Sequence, residues 1–233
     1  MRRYQDEPSA IAESDWKRGH LTPLELLRIG AWKEARIPAA MSVNLEGRIE
    51  EVTAGALRAL DEAGVREWEP LEDTDDLFWE KYARVVRQVV GSSDDRSGLY
   101  GLDGVRYPAA SAVLHILVPN AFPVIDQHAV RAVFGSVLEG YVLPKKRAWW
   151  YRHVVYVPFT RHLATVVHAR SPGVSLHGLD LRAQTAGRLV LRGGKEAQAV
   201  RMDWVPIDLP PQVLDQGGVE RRATTSGNGI LST

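Results

Sequence analysis

Asp126 stands at the end of an apolar run, Val124-Ile125, and just before a helix-like segment that puts Ala129, Val130 and Val133 on its inner side. A carboxylate in that position has two uses, which do not exclude each other. It caps the helix by accepting N–H bonds from the next turn, or it acts as a reagent held in place by the chain upstream. Apolar surroundings raise its pKa and the helix end lowers it, so the two influences oppose each other. Twenty-two residues earlier, in LYGLDGVRYPAASAVLHIL, Gly104 sits where two short helices must be joined by a tight turn. Glycine there is free to take a positive φ, and Ala109, Ala110, Ser111 and Ala112 let the second helix lie close against its partner. The backbone N–H groups of such a turn and of the helix start after it have no intrahelical acceptor. They form a donor cluster at the positive end of a helix dipole, suited to one phosphate of a nucleic-acid strand.

Other side chains extend this chemistry or limit it. KKRAWWYR, Lys145 to Arg152, interleaves Lys145, Lys146 and Arg147 with Trp149, Trp150 and Tyr151. Such a patch pairs phosphates with cations and stacks exposed bases on rings; equally, its rings serve as core or lobe-junction residues under a solvated basic rim. Arg131, five residues after Asp126, either pairs with it or faces a polyanion. His115, among apolar neighbours, reads as a hydrogen-bonded core group. The seven histidines form no HxH or HExxH pair, so a metal site is not expected, and no cofactor is. With no cysteine, disulfides, thiolate zinc sites, cysteine nucleophiles and cysteine-held iron–sulfur clusters are excluded.

These residues need a scaffold, and 233 residues with 45% hydrophobic content can build one domain or two closely packed lobes. Net charge is zero but unevenly spread. Residues 1–80 carry 10 Lys and Arg against 18 Asp and Glu, and residues 81–233 carry 19 against 11. The basic half suits a polyanion, or the two halves attract each other. No apolar run approaches the ~20 residues that cross a bilayer, and MRRYQDEPSAIAESDWKRGH lacks the apolar middle of a secretory signal, so the expected location is cytoplasmic, with no membrane partner.

Helical periodicity dominates the first three quarters. TPLELLRIGAWKEA has Thr22 to cap and Pro23 at the first position; LEGRIEEVTAGALRALDEAG stops at Gly64; DTDDLFWEKYARVVRQVVG starts acidic and stops at Gly91. SSDDRSG is a polar connector. KKRAWWYRHVVYVPFTRHLATVVHA predicts one long helix, or two broken at Pro158. VSLHGLDLRAQTAG predicts a last helix ending at Gly187, followed by a small β-hairpin around Gly193-Gly194 and a flexible tail over 208–233.

The combination LDGVRYPAASAVL…VIDQHAVRAV resembles the helix-hairpin-helix base-excision DNA glycosylase superfamily, whose members show a pattern like LPGVGxxTAxxxL followed by VDTHVxRV. Leu102, Gly104, Val105, Ala110 and Leu114 match the hairpin; Asp126, His128 and Arg131 match the second block, with Ile125 a conservative fit. The close likeness covers Leu99 to Gly135, and a looser one extends over Leu21 to Gly187, similar to an uncharacterised bacterial branch without an iron–sulfur cluster.

The resemblance implies a mainly all-α fold. Residues 1–187 form a two-lobed helical bundle with the helix-hairpin-helix at about 99–117, and 188–233 form a C-terminal extension. It implies double-stranded DNA carrying a damaged or mispaired base as the partner, with no protein partner required. Gly104, Val105, Arg106, Pro108, Ala109, Arg131, Lys145, Lys146 and Arg147 are the expected DNA contacts. Asp126 falls on the catalytic aspartate, which supports positive charge developing on the sugar or activates water, and His128 is a supporting hydrogen-bonding residue. Extrusion of the base is required because the reacting bond is out of reach inside the duplex. Three departures qualify the likeness, one of them the absence of the iron–sulfur loop in a chain without cysteine. Arg106 replaces the second glycine of the turn, where it can itself contact a phosphate. Pro108 occupies the position of the lysine that forms a Schiff base, so strand cleavage by that route is not expected and a monofunctional hydrolase is. A non-catalytic helix-hairpin-helix DNA-binding module of a repair or defence system is the alternative.

Overall fold

Local start and stop signals shape the helices of the first half. α1 (Pro23–Glu34) opens on a capping box. Thr22 Oγ1 accepts the Glu25 N–H at 3.3 Å, and the Glu25 carboxylate accepts the Thr22 N–H at 2.7 Å. α2 (Glu46–Glu62) buries Ile49, Thr53, Ala56, Leu57 and Leu60 on one face and gives out just before Gly64. α3 (Asp76–Val90) begins where Asp75 accepts the Leu77 N–H at 2.8 Å and ends at Gly91. In this computed structural model the described residues are 15–34, 41–68, 75–92, 94–125, 129–130, 141–142, 153–164, 174–183 and 220–221. They are mainly helical.

A 3-10 turn at Gly98–Gly101 leads into α4 (Tyr107–Leu117). α5 (His153–His162) and α6 (residues 176–183) follow among the described residues. α4 is the centre of the molecule: apart from Pro108, every one of its residues is buried, as expected of a helix apolar all round. α1 packs along α4, α3 packs against α2 and α5, and the 3-10 turn lies on α2 and α3. Tyr82, Tyr107, Tyr156, Phe122 and Phe159 are the largest fully buried side chains. No helix among the described residues is long and apolar enough to cross a membrane.

The polar connector is an ordered turn of side chain to backbone bonds. Ser97 Oγ accepts the Ser92 N–H at 3.1 Å, and Asp95 accepts the Ser97 N–H at 2.9 Å. Bonds from the Ser97 hydroxyl and N–H hold the Asp95 carboxyl below its ordinary range. The connector returns so closely onto the end of α3 that a Cβ at Gly98, where φ is +53°, would stand 2.6 Å from the Val89 carbonyl oxygen. Only glycine fits there.

Of the two readings the sequence left open at Pro158, the structure has the unbroken one, with α5 running through the proline. An interior proline costs a helix roughly 3 kcal/mol, but Tyr156 and Phe159 on either side are fully buried, and aromatic burial contributes about 1.5–3 kcal/mol per side chain. Thr160 Oγ1 also donates to the Tyr156 carbonyl at 3.0 Å. One feature differs from the sequence reading: within the segment expected to be a tail, β2 (Glu220–Arg221) lies antiparallel to β1 (Tyr141–Val142), with Tyr141 opposite Arg221 and Val142 opposite Glu220. The rung is made by backbone groups, so it leaves no side-chain pattern to read. The hairpin around Gly193-Gly194 lies outside the described residues.

One buried charge cluster ties the first helical turn, residues 15–18, to α1. Asp15 is inaccessible to solvent. Its Oδ1 lies 3.2 Å from Arg18 Nη1, which also donates to Glu25 Oε2 at 2.7 Å. Burial, then the hydrogen bond and charge of Glu25, push the Asp15 carboxyl up to about 8, against the pull of Arg18. Burial opposes ionisation of Glu25 too, but bonds from Arg18, Thr22 and Asp15 outweigh it and hold that carboxyl down at about 2. The pair therefore keeps one proton, on Asp15, through the neutral range. Trp16 anchors the same turn, its Nε1–H donating to the Leu117 carbonyl at 3.2 Å under the Arg66 guanidinium at 3.9 Å.

Candidate functional site

The segment from Gly98 to Ala110 runs from the four-residue 3-10 turn through Gly104 into the start of α4. Leu99, Leu102 and Val105 are buried and pin it to the core. Leu102 N–H donates to the Leu99 carbonyl and Val105 N–H to the Leu102 carbonyl, both at 3.2 Å. Between them Gly104 takes φ +77°, a left-handed conformation that side chains disfavour. Arg106 follows in extended geometry and opens α4, with proline in the first turn. The Ala110 N–H closes the first helical bond, to the Arg106 carbonyl at 2.8 Å. The N–H groups of Gly104, Arg106 and Ala109 donate to no acceptor among the described residues. Three donors thus stand at one helix N-terminus, where the dipole favours an anion.

Residues that the motif does not contain hold this turn. Asn44 grips Asp103 from both sides: its Oδ1 accepts the Asp103 N–H at 2.7 Å and its Nδ2 donates to the Asp103 carbonyl at 2.9 Å. Nδ2 also donates to the Met41 carbonyl at 2.9 Å. Arg96 takes the left-handed φ of +54°, rare outside glycine, and its guanidinium pairs with the Asp103 carboxylate at 2.8 Å. Arg48 brings a third guanidinium to the back of the turn, with Nη2 3.0 Å from the place a Cβ on Gly101 would occupy, while Nη1 pairs with Glu51 at 2.9 Å. The Arg106 side chain is exposed. On either side of Asn44 two apolar side chains stand in solvent, Val43 at 65% and Leu45 at 78% exposure.

The approach to Asp126 is held just as firmly. Residues 121–125 are buried without being helical, so their backbone polar groups need partners. Each residue has one group taken by a side chain from a surrounding helix. Tyr82 of α3 donates its hydroxyl to the Ala121 carbonyl at 3.1 Å. His115 of α4 sets Nδ1 2.7 Å from the Phe122 carbonyl; facing an acceptor, that nitrogen carries the hydrogen. Tyr156 of α5 donates to the Pro123 carbonyl at 2.8 Å. Asp180 of α6 accepts the Val124 N–H at 3.0 Å. Ser111 of α4 accepts the Ile125 N–H at 3.2 Å. Burial holds the Tyr82 and Tyr156 phenols well above their ordinary range, so both remain protonated donors.

His115 is fully buried with its Phe122 bond. Its ring stacks on Trp32 at 6.0 Å and meets His177 at 4.7 Å between centroids. Burial lowers the pKa of His177, which favours its neutral form.

Of the residues singled out from the sequence, Gly104, Val105, Arg106, Pro108 and Ala109 are brought together at the turn. Asp126, His128, Arg131, Lys145, Lys146 and Arg147 lie outside the described residues, as do Trp149 and Trp150. Sequence reasoning missed Asn44, Arg96, Tyr82, Tyr156 and Asp180. Asn44 lies 59 residues from its partner and Asp180 lies 56 from its own, separations at which no local spacing signals a contact. Ser111 was read only as a small helix residue. Scans of the chain against protein-family models, curated proteins and solved structures found no match.

Proposed function

We propose that this chain is a DNA-binding base-excision protein, a monofunctional DNA glycosylase that hydrolyses the bond between sugar and a damaged or mispaired base. In this reading the Gly98–Gly101 turn and α4 are the two helices of a helix-hairpin-helix between two lobes, and Asp126 is the catalytic carboxylate. The observation that carries the reading is a conjunction. A turn with three N–H donors facing no described acceptor starts the same helix whose Ser111 grips Ile125, the residue before Asp126.

Backbone donors at the turn suit one phosphate and are indifferent to sequence. Arg106 adds a side-chain cation beside them. Val43 and Leu45, held next to the turn through Asn44, are apolar side chains suited to entering a base step and filling the space left by an extruded nucleotide. A carboxylate near the exposed sugar then supports the positive charge that grows as the base leaves, and a site with little water strengthens that support. With proline at position 108, no amine is available there for a Schiff base.

Arg106 in place of a turn glycine favours a second reading, a DNA-binding module without catalysis. One assay separates the two. Duplex oligonucleotides bearing uracil, hypoxanthine, alkylated purines or 8-oxoguanine opposite adenine are incubated with the protein, then treated with alkali to cleave abasic products. Wild type releases at least one base and Asp126→Asn does not. Salt-dependent DNA binding with no release across the panel selects the second reading, and absence of binding at low salt removes both.

A further inference from the structure

We infer that Ser111 is the positioning residue of this site, its hydroxyl coupling the turn that takes the phosphate to the segment that delivers the carboxylate. The inference rests on the glycosylase reading above and adds to it the part that joins the two halves of the machinery.

Ser111 is fully buried on α4 among alanine, valine, leucine and isoleucine. Its hydroxyl has one hydrogen and two lone pairs. The hydrogen goes to the Pro108 carbonyl at 2.9 Å, in the first turn of α4 and between the donors of Arg106 and Ala109. That bond orients the oxygen and leaves a lone pair for the Ile125 N–H, at 3.2 Å and 14 residues away. One oxygen therefore touches both the helix start that faces the anion and the residue that precedes Asp126. A helix serine whose only role is to bond back within its own turn has no need of the second contact.

The neighbouring bond completes the device. Here the Val124 N–H goes to Asp180 on α6 and the Ile125 N–H goes to Ser111 on α4. Two bonds from consecutive residues to two different helices fix the rotation of the segment about its own axis immediately before the acidic residue. Hydrophobic contact alone leaves that rotation softer, because it has no preferred direction.

The test uses full-length Ser111→Ala and Ser111→Thr, with Ser111→Cys as a near-isosteric substitute for either variant that does not fold, judged by circular dichroism and thermal melting. Affinity is measured on a duplex with a tetrahydrofuran abasic analogue, and single-turnover base release on whichever lesion of the panel wild type processes. The turn donors are backbone groups, so Ser111→Ala keeps its affinity within about threefold, while its release rate falls about tenfold or more. Ser111→Thr, which retains the hydroxyl, recovers most of the rate. A Ser111→Ala rate within about twofold of wild type overturns the inference, and so do rate and affinity falling together, because that pattern marks a role in folding alone. Both results leave the glycosylase reading standing. A wild type inactive on every lesion refutes that reading and this inference with it.

Discussion

The proton held between Asp15 and Glu25 makes stability depend on pH in a way that one substitution removes. Asp15 in the folded chain titrates near 8 instead of 3.8. Between those values the native state holds a proton that the unfolded chain has given up, so stability falls as pH rises, by ~1.4 kcal/mol per pH unit at most. Carried across the whole interval this is on the order of 5 kcal/mol for a carboxyl that stays fully dry. Glu25 is only partly buried, and water that reaches the pair once Asp15 ionises reduces the cost to about half, ~2–3 kcal/mol. Glu25 acts in the opposite sense: its carboxyl is depressed to about 2 from 4.5, so its contribution is present above pH ~4.5 and is lost as pH falls toward 2. The perturbation is Asp15→Asn, which keeps the size and polarity of the side chain and never ionises. Urea unfolding of both proteins from pH 4.5 to 8.5 gives a difference curve in which the histidines, common to both, cancel. Asp15→Asn gains on wild type steadily with pH and exceeds it by about 2 kcal/mol or more near pH 8. Parallel curves across that range would show that Asp15 is ionised in the native state and that the proton-sharing argument is wrong.

Two other substitutions separate binding from folding. Arg106→Ala removes an exposed guanidinium that forms no ion pair among the described residues, so thermal melting is unchanged. DNA affinity weakens, and the slope of log affinity against log salt becomes shallower by about 1, as read by fluorescence anisotropy over a salt series. Tyr82→Phe deletes the hydroxyl bonded to the fully buried Ala121 carbonyl and costs about 1–3 kcal/mol in a urea melt, since an unsatisfied buried acceptor is left behind. An unchanged midpoint there contradicts the claim that side-chain bonds hold the 121–125 segment.

Much of the helical scaffold was legible because its signals are local. Thr22 with Glu25, Asp75 with Leu77, and Gly64 and Gly91 at helix ends act on neighbours within one turn. The Gly104 turn was legible for the same reason: a flexible residue before an Arg-Tyr-Pro helix start leaves the chain few alternatives. Whether the helix breaks at Pro158 was left open by the sequence, because the burial of Tyr156 and Phe159 that outweighs the proline's propensity is a tertiary property. The grip on residues 121–125 was not legible at all. Its five side chains come from four helices, and each pattern alone fits an ordinary core residue.

The sequence by itself determined where helices start and stop, which faces are apolar, and that a donor-rich turn precedes an acidic residue by 22 positions. Those properties depend on residues a few bonds or one helical turn apart. Only the tertiary structure decided that Asn44 and Arg96 clamp the turn, that Asp15 keeps a proton beside Glu25, and that Ser111 joins the turn to Ile125. A hydrogen bond acts over about 3 Å, whereas its partners here lie as far as 59 residues apart along the chain, and the packing of helices around α4 is what brings them within reach.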